Sequence, residues 1–579
     1  MKPLIKSTLR RMHDAAFVQH YFAGAGLDIG VDEPSSLAPH GTLFPRVTRV
    51  VPWQGDVAAV PGVEERAFQF VHASHCLQRV DNPHKTLARW LDLVKPGGYL
   101  VLTVPDEDLD VEGASEHRTT FTICKGSSLP DSINVLDMIK SVAAVCACER
   151  IALVRDHLSE LNEGTDSGNL AERAIEVVLR KRQVPLPQEY FSVADRARTA
   201  TECRNACQEA LQTYPYRFNV AHQAALKMLR WNLIDEIDAL WSDSVGRLHD
   251  EWNPRLYKFL HVIASGKIHE GFQLRAAAAK DWPWQRRTTA HPPTQFPAWA
   301  GQPLDGKSIV IWSEFGLGDE IFFLRFARMF RHQGGAARVT VVCQKPLTEL
   351  FDASGEADAV VSVDQAASIP LHDFWVYPHD IPAHLPLDLN ALPDSVPYLR
   401  VPPGAPAVRL ACRAGALKVG IAFKGAPTHE NDKARSLPSL SVLDPLLAHQ
   451  EVEFYSLQKG AGEHEAAAYA ERLSNFHDVG VSLRTMVDTA RAIAAMDLVL
   501  TVDTSVAHVA AAMGKPTWLL LPAFPDWRWH YEREDSPWYP SIKLFRHPFS
   551  GSWAEVVARV NGHLLAMIEC RSGRHAKVE

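Results

Sequence analysis

Hydrophobic positions in the last third of the chain fall into short runs separated by polar turns and by stretches of helical spacing. The run 498–502 (LVLTV) is short and partly β-branched, the pattern of a strand buried on both faces. Asp503, Thr504 and Ser505 follow, residue types that cap helix starts, and then the apolar segment VAHVAAA. Gly514-Lys515-Pro516 stops that helix, and 517–521 (TWLLL) predicts the next strand. The same order recurs earlier: a strand at 308–313 (SIVIWS), the turn Gly316-Leu317-Gly318-Asp319, and an amphipathic helix at 320–332. Two such units, each with polar residues at the carboxyl end of its strand, predict two Rossmann-like halves facing a cleft. Further strands are predicted at 338–343, 359–363 and 373–376, then at 418–423, 451–457 and 542–545. A closing amphipathic helix is expected over 552–567, with a frayed polar end after it.

The earlier part of the chain is patterned differently. Residues 1–182 predict strands at 26–31 (GLDIGV), 47–51, 68–73 (FQFVHA) and 99–104, a helix with its leading turn at 81–94, and a last helix and strand within 169–182. After a proline linker at 183–189 the spacing becomes helical, with helices over 194–213, 219–232, 234–249 and 254–278. Cys207, Ala210, Leu211 and Tyr214 share one helix face; Leu256, Phe259, Leu260 and Ile263 share another. The stretch 281–306, rich in proline and tryptophan, is a linker into the first Rossmann-like half. The expected parts are 1–182, 183–283, 284–403 and 404–570. The expected fold class is α/β: a Rossmann-like N-terminal domain, an α-helical middle segment and a C-terminal pair of Rossmann-like halves.

Composition excludes more than it assigns. The 579 residues allow several cores, and 46% hydrophobic with 22% charged residues is ordinary for globular protein. A net charge of −8 and a pI near 6.4 argue against a general nucleic-acid or anionic-membrane surface, leaving room for a local basic pocket. No apolar run reaches the ~18 residues of a membrane span, and the basic start MKPLIKSTLRRMHDAAF lacks the apolar centre of a signal peptide. Nine cysteines without a CxxC pair point to free thiols and a cytoplasmic setting. Cys203 and Cys207 fit one helix face and suggest packing; Cys146 and Cys148 are poorly spaced for joint ligation from a helix.

GLGD after the first strand, and D-T-x-x-x-H (503–508) before a helix that ends in G-K-P, resemble glycosyltransferase family 9, the heptosyltransferase-like enzymes of GT-B fold. The resemblance covers 284–565 and is closest to variants that follow helical repeats, which share SLQ-x-G (456–460), N-D-x-x-R-S (431–436), D-W-R-W (526–529) and P-W-Y-P (537–540); it implies that the closing helix returns to brace the first half. The helical middle resembles degenerate tetratricopeptide repeats, either a spacer or a groove for an acceptor protein. Residues 1–182 resemble a small class I methyltransferase with a damaged donor site. Gly30 is followed by Val31, Asp32, Glu33 and Pro34 where a glycine-rich turn belongs, and the second strand runs into Pro52-Trp53-Gln54 where an acid belongs. A missing glycine blocks close approach and a missing acid leaves the ribose unpaired. Asp28, Gly30 and Asp56 remain as candidate methyl-donor ligands, but S-adenosylmethionine binding is not expected.

Glycosyl transfer from a nucleotide sugar needs a base for the acceptor hydroxyl and positive charge or N–H donors for the departing diphosphate. The resemblance makes Asp319 the base; the plainer alternative is a helix cap worth only ~1 kcal/mol. Gly316 and Gly318 let ligands approach it. Asp503, Thr504, Ser505 and the amides behind them form the candidate phosphate cradle, with His508 facing it or serving only as a core histidine. Arg435 and Lys424 are candidate cations for the diphosphate, or members of a solvated basic loop, as Lys433 beside them is taken to be. Gln458, with Ser456, Leu457 and Gly460, is expected near base or ribose; Trp527 and Trp529 stack on a ligand or pack under a linker. No metal is required in this reading. The donor is ADP-heptose or another nucleoside-diphosphate sugar, and the acceptor a glycan, a lipid-linked core or a protein. The competing readings are a bifunctional methyltransferase and glycosyltransferase, and a noncatalytic nucleotide-sugar-binding scaffold.

Overall fold

The computed structural model describes residues 14–30, 47–52, 63–106, 120–123, 132–156, 172–281, 291–292, 294–385, 387, 396–404, 408, 410–429, 431–549 and 551–575. The chain forms two compact units, Met1–Pro254 and Arg255–Glu579.

In the first unit β1 (Gly26–Gly30), β2 (Val47–Pro52), β3 (Phe68–Ser74) and β4 (Val94–Pro105) run parallel. Two short strands, β5 (Thr120–Thr122) and β6 (Ser132–Asn134), pair apart from them. The sheet is completed by β7 (Cys146–Asp156) and β8 (Glu172–Lys181), in the order β2-β1-β3-β4-β8-β7, with β8 antiparallel to both neighbours. The expected helix before β8 is not formed by its described residues. Ala174–Leu179 are buried without a break because β4 and β7 flank them, and that environment favours a strand. Trp90, Leu87 and Leu91 of the helix Pro83–Leu93 close one face of the sheet.

The helical segment is more finely divided than its spacing predicts. The expected helix 194–213 is two, Pro187–Arg196 and Ala200–Thr213, because Thr199 starts a new helix by accepting the Glu202 N–H. The first of these begins inside the expected proline linker, since proline suits a helix's first turn. Phe218–Leu229 and Ile234–Arg247 follow. The expected helix 254–278 is also two, Trp252–Ala264 and Ile268–Asp281; Gly266, at φ +93°, makes the left-handed turn between them.

The second unit holds two parallel sheets. The first contains β9 (Ser308–Ile311), β10 (Arg338–Cys343), β11 (Ala359–Ser362) and β12 (Phe374–Val376), ordered β11-β10-β9-β12. The second contains β13 (Leu417–Ala422), β14 (Val452–Ser456), β15 (Phe476–Asp478), β16 (Leu498–Val502), β17 (Thr517–Leu521) and β18 (Ile542–Arg546), ordered β15-β14-β13-β16-β17-β18. This is the doubly wound pattern, in which strand order reverses at one point and ligands bind beyond the strand ends there. The reversal lies between β9 and β12 in one sheet and between β13 and β16 in the other. The closing helix runs Trp553–His575, longer than expected, and the polar end predicted to fray is helical through His575. Its Val556, Val557, Val560 and Leu564 pack into the core of the second half, and Arg571 donates to Asp497 at 3.0 Å, so the described contacts brace the second half rather than the first.

Gly271 lets the last two helices of the helical segment touch. A Cβ there would lie 2.3 Å from Ile263 Cγ1 and 2.9 Å from the Ile263 backbone nitrogen. Gly→Ala in a helix is ordinarily stabilising by ~1 kcal/mol. At this contact the sign reverses: Gly271→Ala is expected to destabilise by about 1–3 kcal/mol in urea unfolding, because overpacking outweighs helix propensity.

Candidate functional site

The first reversal point collects acids and a histidine. After β9 the chain turns through Glu314, Phe315 and Gly316 into the helix Leu317–Phe323. Phe315 holds φ +64°, a left-handed conformation that costs a non-glycine residue of order 1–3 kcal/mol. Asp319 lies in the first turn of the helix, where its Oδ2 accepts the Gly316 N–H at 3.0 Å. The end of β12 is tied beside it by the Trp312 N–H to Val376 C=O bond of 2.8 Å, which brings in the turn Pro378–Ala383. His379 Nδ1 is 3.0 Å from Glu314 Oε2, and its Nε2 is 3.7 Å from Asp319 Oδ1. Arg275, on the helix Ile268–Asp281, donates to Glu314 at 2.9 Å and to Asp380 at 3.0 Å. Glu314, His379 and Arg275 are all buried.

The second reversal point collects hydroxyls and amides. β16 ends at Val502, Thr504 is extended at φ −144°, and the helix Ser505–Ala512 begins with no side chain capping its first turn. His508 is buried, its Nδ1 3.0 Å from the Tyr539 hydroxyl and its Nε2 3.9 Å from Asp503 Oδ1. The two reversal points meet: a Cβ on Gly318 would stand 2.9 Å from His508 Cδ2, so only glycine leaves room for this approach.

Arg528 joins them. It lies in the short turn of helix Trp527–Trp529, just before His530, a second non-glycine residue at positive φ (+53°). Its guanidinium pairs with Asp319 Oδ1, holds Asp526 Oδ1 at 2.9 Å, and lies 4.8 Å from the Phe322 ring and 4.2 Å from the Trp527 ring. Burial alone would favour a protonated Asp319. Arg528, then His379 and the Gly316 N–H, outweigh it and hold the carboxyl below its ordinary range. Burial, with Arg528 next, drives the His508 imidazole down to about 3, so it stays neutral. Burial pushes the Asp503 carboxyl up to about 6, and Asp526 adds to the push.

Asp319, Gly316, Gly318, Asp503, Thr504, Ser505 and His508 are thus brought to one place. Arg435 stands behind them against Gly425, where a Cβ would lie 2.8 Å from its Nη2, and its charge reaches both Asp503 and His508. Lys424 is engaged with Glu465. Gln458 is also occupied: its Oε1 accepts the Phe423 and Lys424 N–H groups at 2.9 and 3.0 Å, and its Nε2 donates to the Lys424 carbonyl at 3.0 Å. It holds the turn after β13 and has no side-chain atom left over for a ligand. Trp527 and Trp529 are buried, so the packing alternative describes them. In the first unit Asp28 is fully buried and 2.7 Å from His72 Nδ1, Gly30 ends β1, and Asp56 lies outside the described residues. Among the described residues no three His, Cys, Asp or Glu side chains group as metal ligands, and no helix is long and apolar enough to cross a membrane.

Arg528, Glu314, His379, Arg275 and Tyr539 belong to this neighbourhood although no motif in the sequence singles them out. Arg528 stood inside the D-W-R-W string, where the tryptophans drew attention, and Glu314 lies two residues before the GLGD turn. His379 and Arg275 carry no local signal; only the sheet order and the helix packing bring them in.

Comparison with known proteins divides the chain in the same sense. Residues 14–141 match a methyltransferase domain model, and residues 441–521 match the model of glycosyltransferase family 9 (heptosyltransferase). The C-terminal part carries a glycosyltransferase family 9 domain. The segment of this family 9 domain that matches contains Gln458, Asp503, Thr504, Ser505 and His508; Asp319 and Arg435 lie outside it. A curated relative, Protein FlbA of Caulobacter vibrioides, is 26% identical over 380 residues, covering 61% of this chain and 62% of its own. This chain therefore spans less than two thirds of that relative. Among solved structures, E. coli ADP-heptose LPS heptosyltransferase II is similar at 14% identity over 45% of this chain and 99% of its own, with TM-score 0.32. A family 9 glycosyl transferase of Veillonella parvula is similar at 13% identity over 43% and 88%, with TM-score 0.31.

Asp503 supplies a test of the site's electrostatics. The unfolded chain ionises this carboxyl near 3.8, the folded chain near 6. Stability is therefore lost as pH rises from about 4 to about 6 and stays lower above that. Asp503→Asn is expected to stabilise the protein by about 1–3 kcal/mol at pH 7.5 and to change little at pH 3, as measured by urea unfolding at both values.

Proposed function

We propose that the second unit transfers a sugar from a nucleoside-diphosphate donor to an acceptor hydroxyl. One observation carries this reading: the Asp319 turn and the open helix start at Thr504–Ser505 meet where both sheets reverse, with Gly318 against His508. Asp319, ionised at every working pH, accepts the hydroxyl proton as the oxygen attacks the sugar. The diphosphate departs toward the amides at Ser505, the Thr504 hydroxyl, Arg435 and, as Asp319 becomes neutral, Arg528. These cations replace a divalent metal in the reaction. ADP-heptose is the first donor to try, with other nucleoside-diphosphate sugars beside it; the acceptor is a glycan, a lipid-linked core or a protein. The helical segment is read as TPR-like and the compartment as the cytoplasm, on sequence pattern and cysteine usage. In the first unit the enclosure of Asp28 with His72 supports a domain that does not hold S-adenosylmethionine.

ADP, UDP and GDP should be compared by thermal unfolding. The cognate diphosphate is expected to stabilise the chain by about 2.7 kcal/mol at a hundredfold excess over Kd. Asp319→Asn should lower transfer roughly 10²–10⁴-fold while that nucleotide still stabilises the variant. Near-normal turnover by the variant would remove Asp319 from the base role. Activity should also survive EDTA; a loss restored by Mn²⁺ or Mg²⁺ would show that the cations do not suffice.

A further inference from the structure

A base held below its ordinary carboxylate range accepts a proton but does not keep it. On the reading above, the proton taken from the acceptor must pass on, and His379 stands beside Asp319 to receive it. His379 Nε2 lies 3.7 Å from Asp319 Oδ1. Its other nitrogen, Nδ1, faces Glu314 Oε2 at 3.0 Å, and the His379 backbone N–H donates to the same oxygen at 3.3 Å. An ionised carboxylate only accepts, so Nδ1 carries the hydrogen and Nε2 is left bare toward Asp319. Glu314 is in turn fixed by Arg275, which also holds Asp380, the residue after His379.

We infer that His379 is a positioning residue that takes the acceptor's proton from Asp319, with Glu314 and Arg275 setting its tautomer and place. This inference rests on the glycosyl-transfer reading. The step balances. The acceptor O–H bond breaks as its oxygen bonds the sugar's anomeric carbon, and the bond from that carbon to the diphosphate oxygen breaks with its electron pair leaving on the diphosphate. The proton moves from the acceptor oxygen to Asp319 Oδ1 and on to His379 Nε2. The imidazolium then lies between Glu314 and Asp319, and it returns the proton to solvent after product leaves. The inference also gives the helical segment a part in the site, since Arg275 belongs to the helix Ile268–Asp281.

The groups facing His379 are Glu314 from the turn after β9, Asp319 from the helix start that follows, Arg275 from the helix Ile268–Asp281, Asp380 beside it and Arg528 beyond Asp319, with the rings of Phe315 and Phe323 packed beside the imidazole. Burial, the leading cause, lowers its basicity despite the two carboxylates, so the ring is neutral at neutral pH. Relay requires that neutral form, so turnover should fall as pH drops through the histidine's titration, below about 6.5.

The test has two arms. In the first, nucleoside diphosphate release from ADP-heptose and from UDP-glucose is followed from pH 4.5 to 8.5 in the full chain and in His379→Gln. The variant should lose about 10–100-fold in kcat with KM for the donor nearly unchanged, and its acid limb should disappear. A variant with wild-type kcat, or with the same limb, overturns the relay. In the second arm, ¹⁵N-histidine NMR of the wild-type full chain, with His379 assigned by its absence in the variant, should show an Nδ1–H, Nε2-bare ring. An Nε2–H ring overturns the relay whether or not the variant folds. If the wild-type chain turns over neither donor, the transfer reading is what has failed for them, and the NMR arm still decides the tautomer on which the relay depends.

Discussion

The ion pair between the buried Arg528 and the half-buried Asp319 is the contact on which the rest of the second unit depends. A carboxylate removed from water is costly unless a charge or several donors meet it. Asp319 has both, and its partner comes from the other half of the unit, 209 positions further on. The pair therefore requires that the two halves close on one another. It also explains why the neighbourhood tolerates strain: Phe315 and His530 take left-handed backbones on either side of the bond, each at a cost that a single exposed ion pair, worth about 0–1 kcal/mol, would not offset. Burial of the guanidinium, with the Phe322 and Trp527 rings packed against it, makes this pair a different case.

The two reversal points follow from chain order rather than from side-chain chemistry. Right-handed crossovers oblige each parallel sheet to fill one side and then the other, leaving a gap where direction changes. Both gaps lie at strand ends that carry small or polar residues, and Gly318 lets one helix start touch the His508 side chain of the other. The candidate site thus lies beyond the strand ends, while Val419, Ile421, Leu500 and Leu520 a few positions back form an apolar core.

Much of this was legible in the sequence, for physical reasons. Runs such as LVLTV and TWLLL are apolar throughout because a parallel strand is covered on both faces, and they became β16 and β17 with the expected bounds. Asp319 and the 503–508 turn could be singled out because glycine and capping residues mark strand–helix joints. What the sequence withheld was of two kinds. Helix breaks at Thr199 and Gly266 hide in continuous helical spacing, since one polar or glycine residue is compatible with either outcome. Partners distant in the chain, such as Arg275 with Glu314, leave no periodic trace. Lys424 and Gln458 show the converse: both have the right type and place for a ligand, yet Glu465 and the turn backbone already hold them. Only the full set of hydrogen-bond partners separates an available polar group from an occupied one.

Arg325 has a consequence of another kind. It is fully buried, bonded to the Trp538 and Phe322 carbonyls and the Tyr398 hydroxyl, with its guanidinium 4.5 Å from the rings of Phe322 and Tyr539. Among the described residues no carboxylate neutralises it. Guanidinium does not shed its proton in any range where the fold persists, so the interior behind His508 holds a fixed positive source that neither acidity nor salt readily dims. On the sugar-transfer reading, an anionic donor would meet that attraction set against the carboxylates of Asp319, Asp503 and Asp526 around His508 and Arg528.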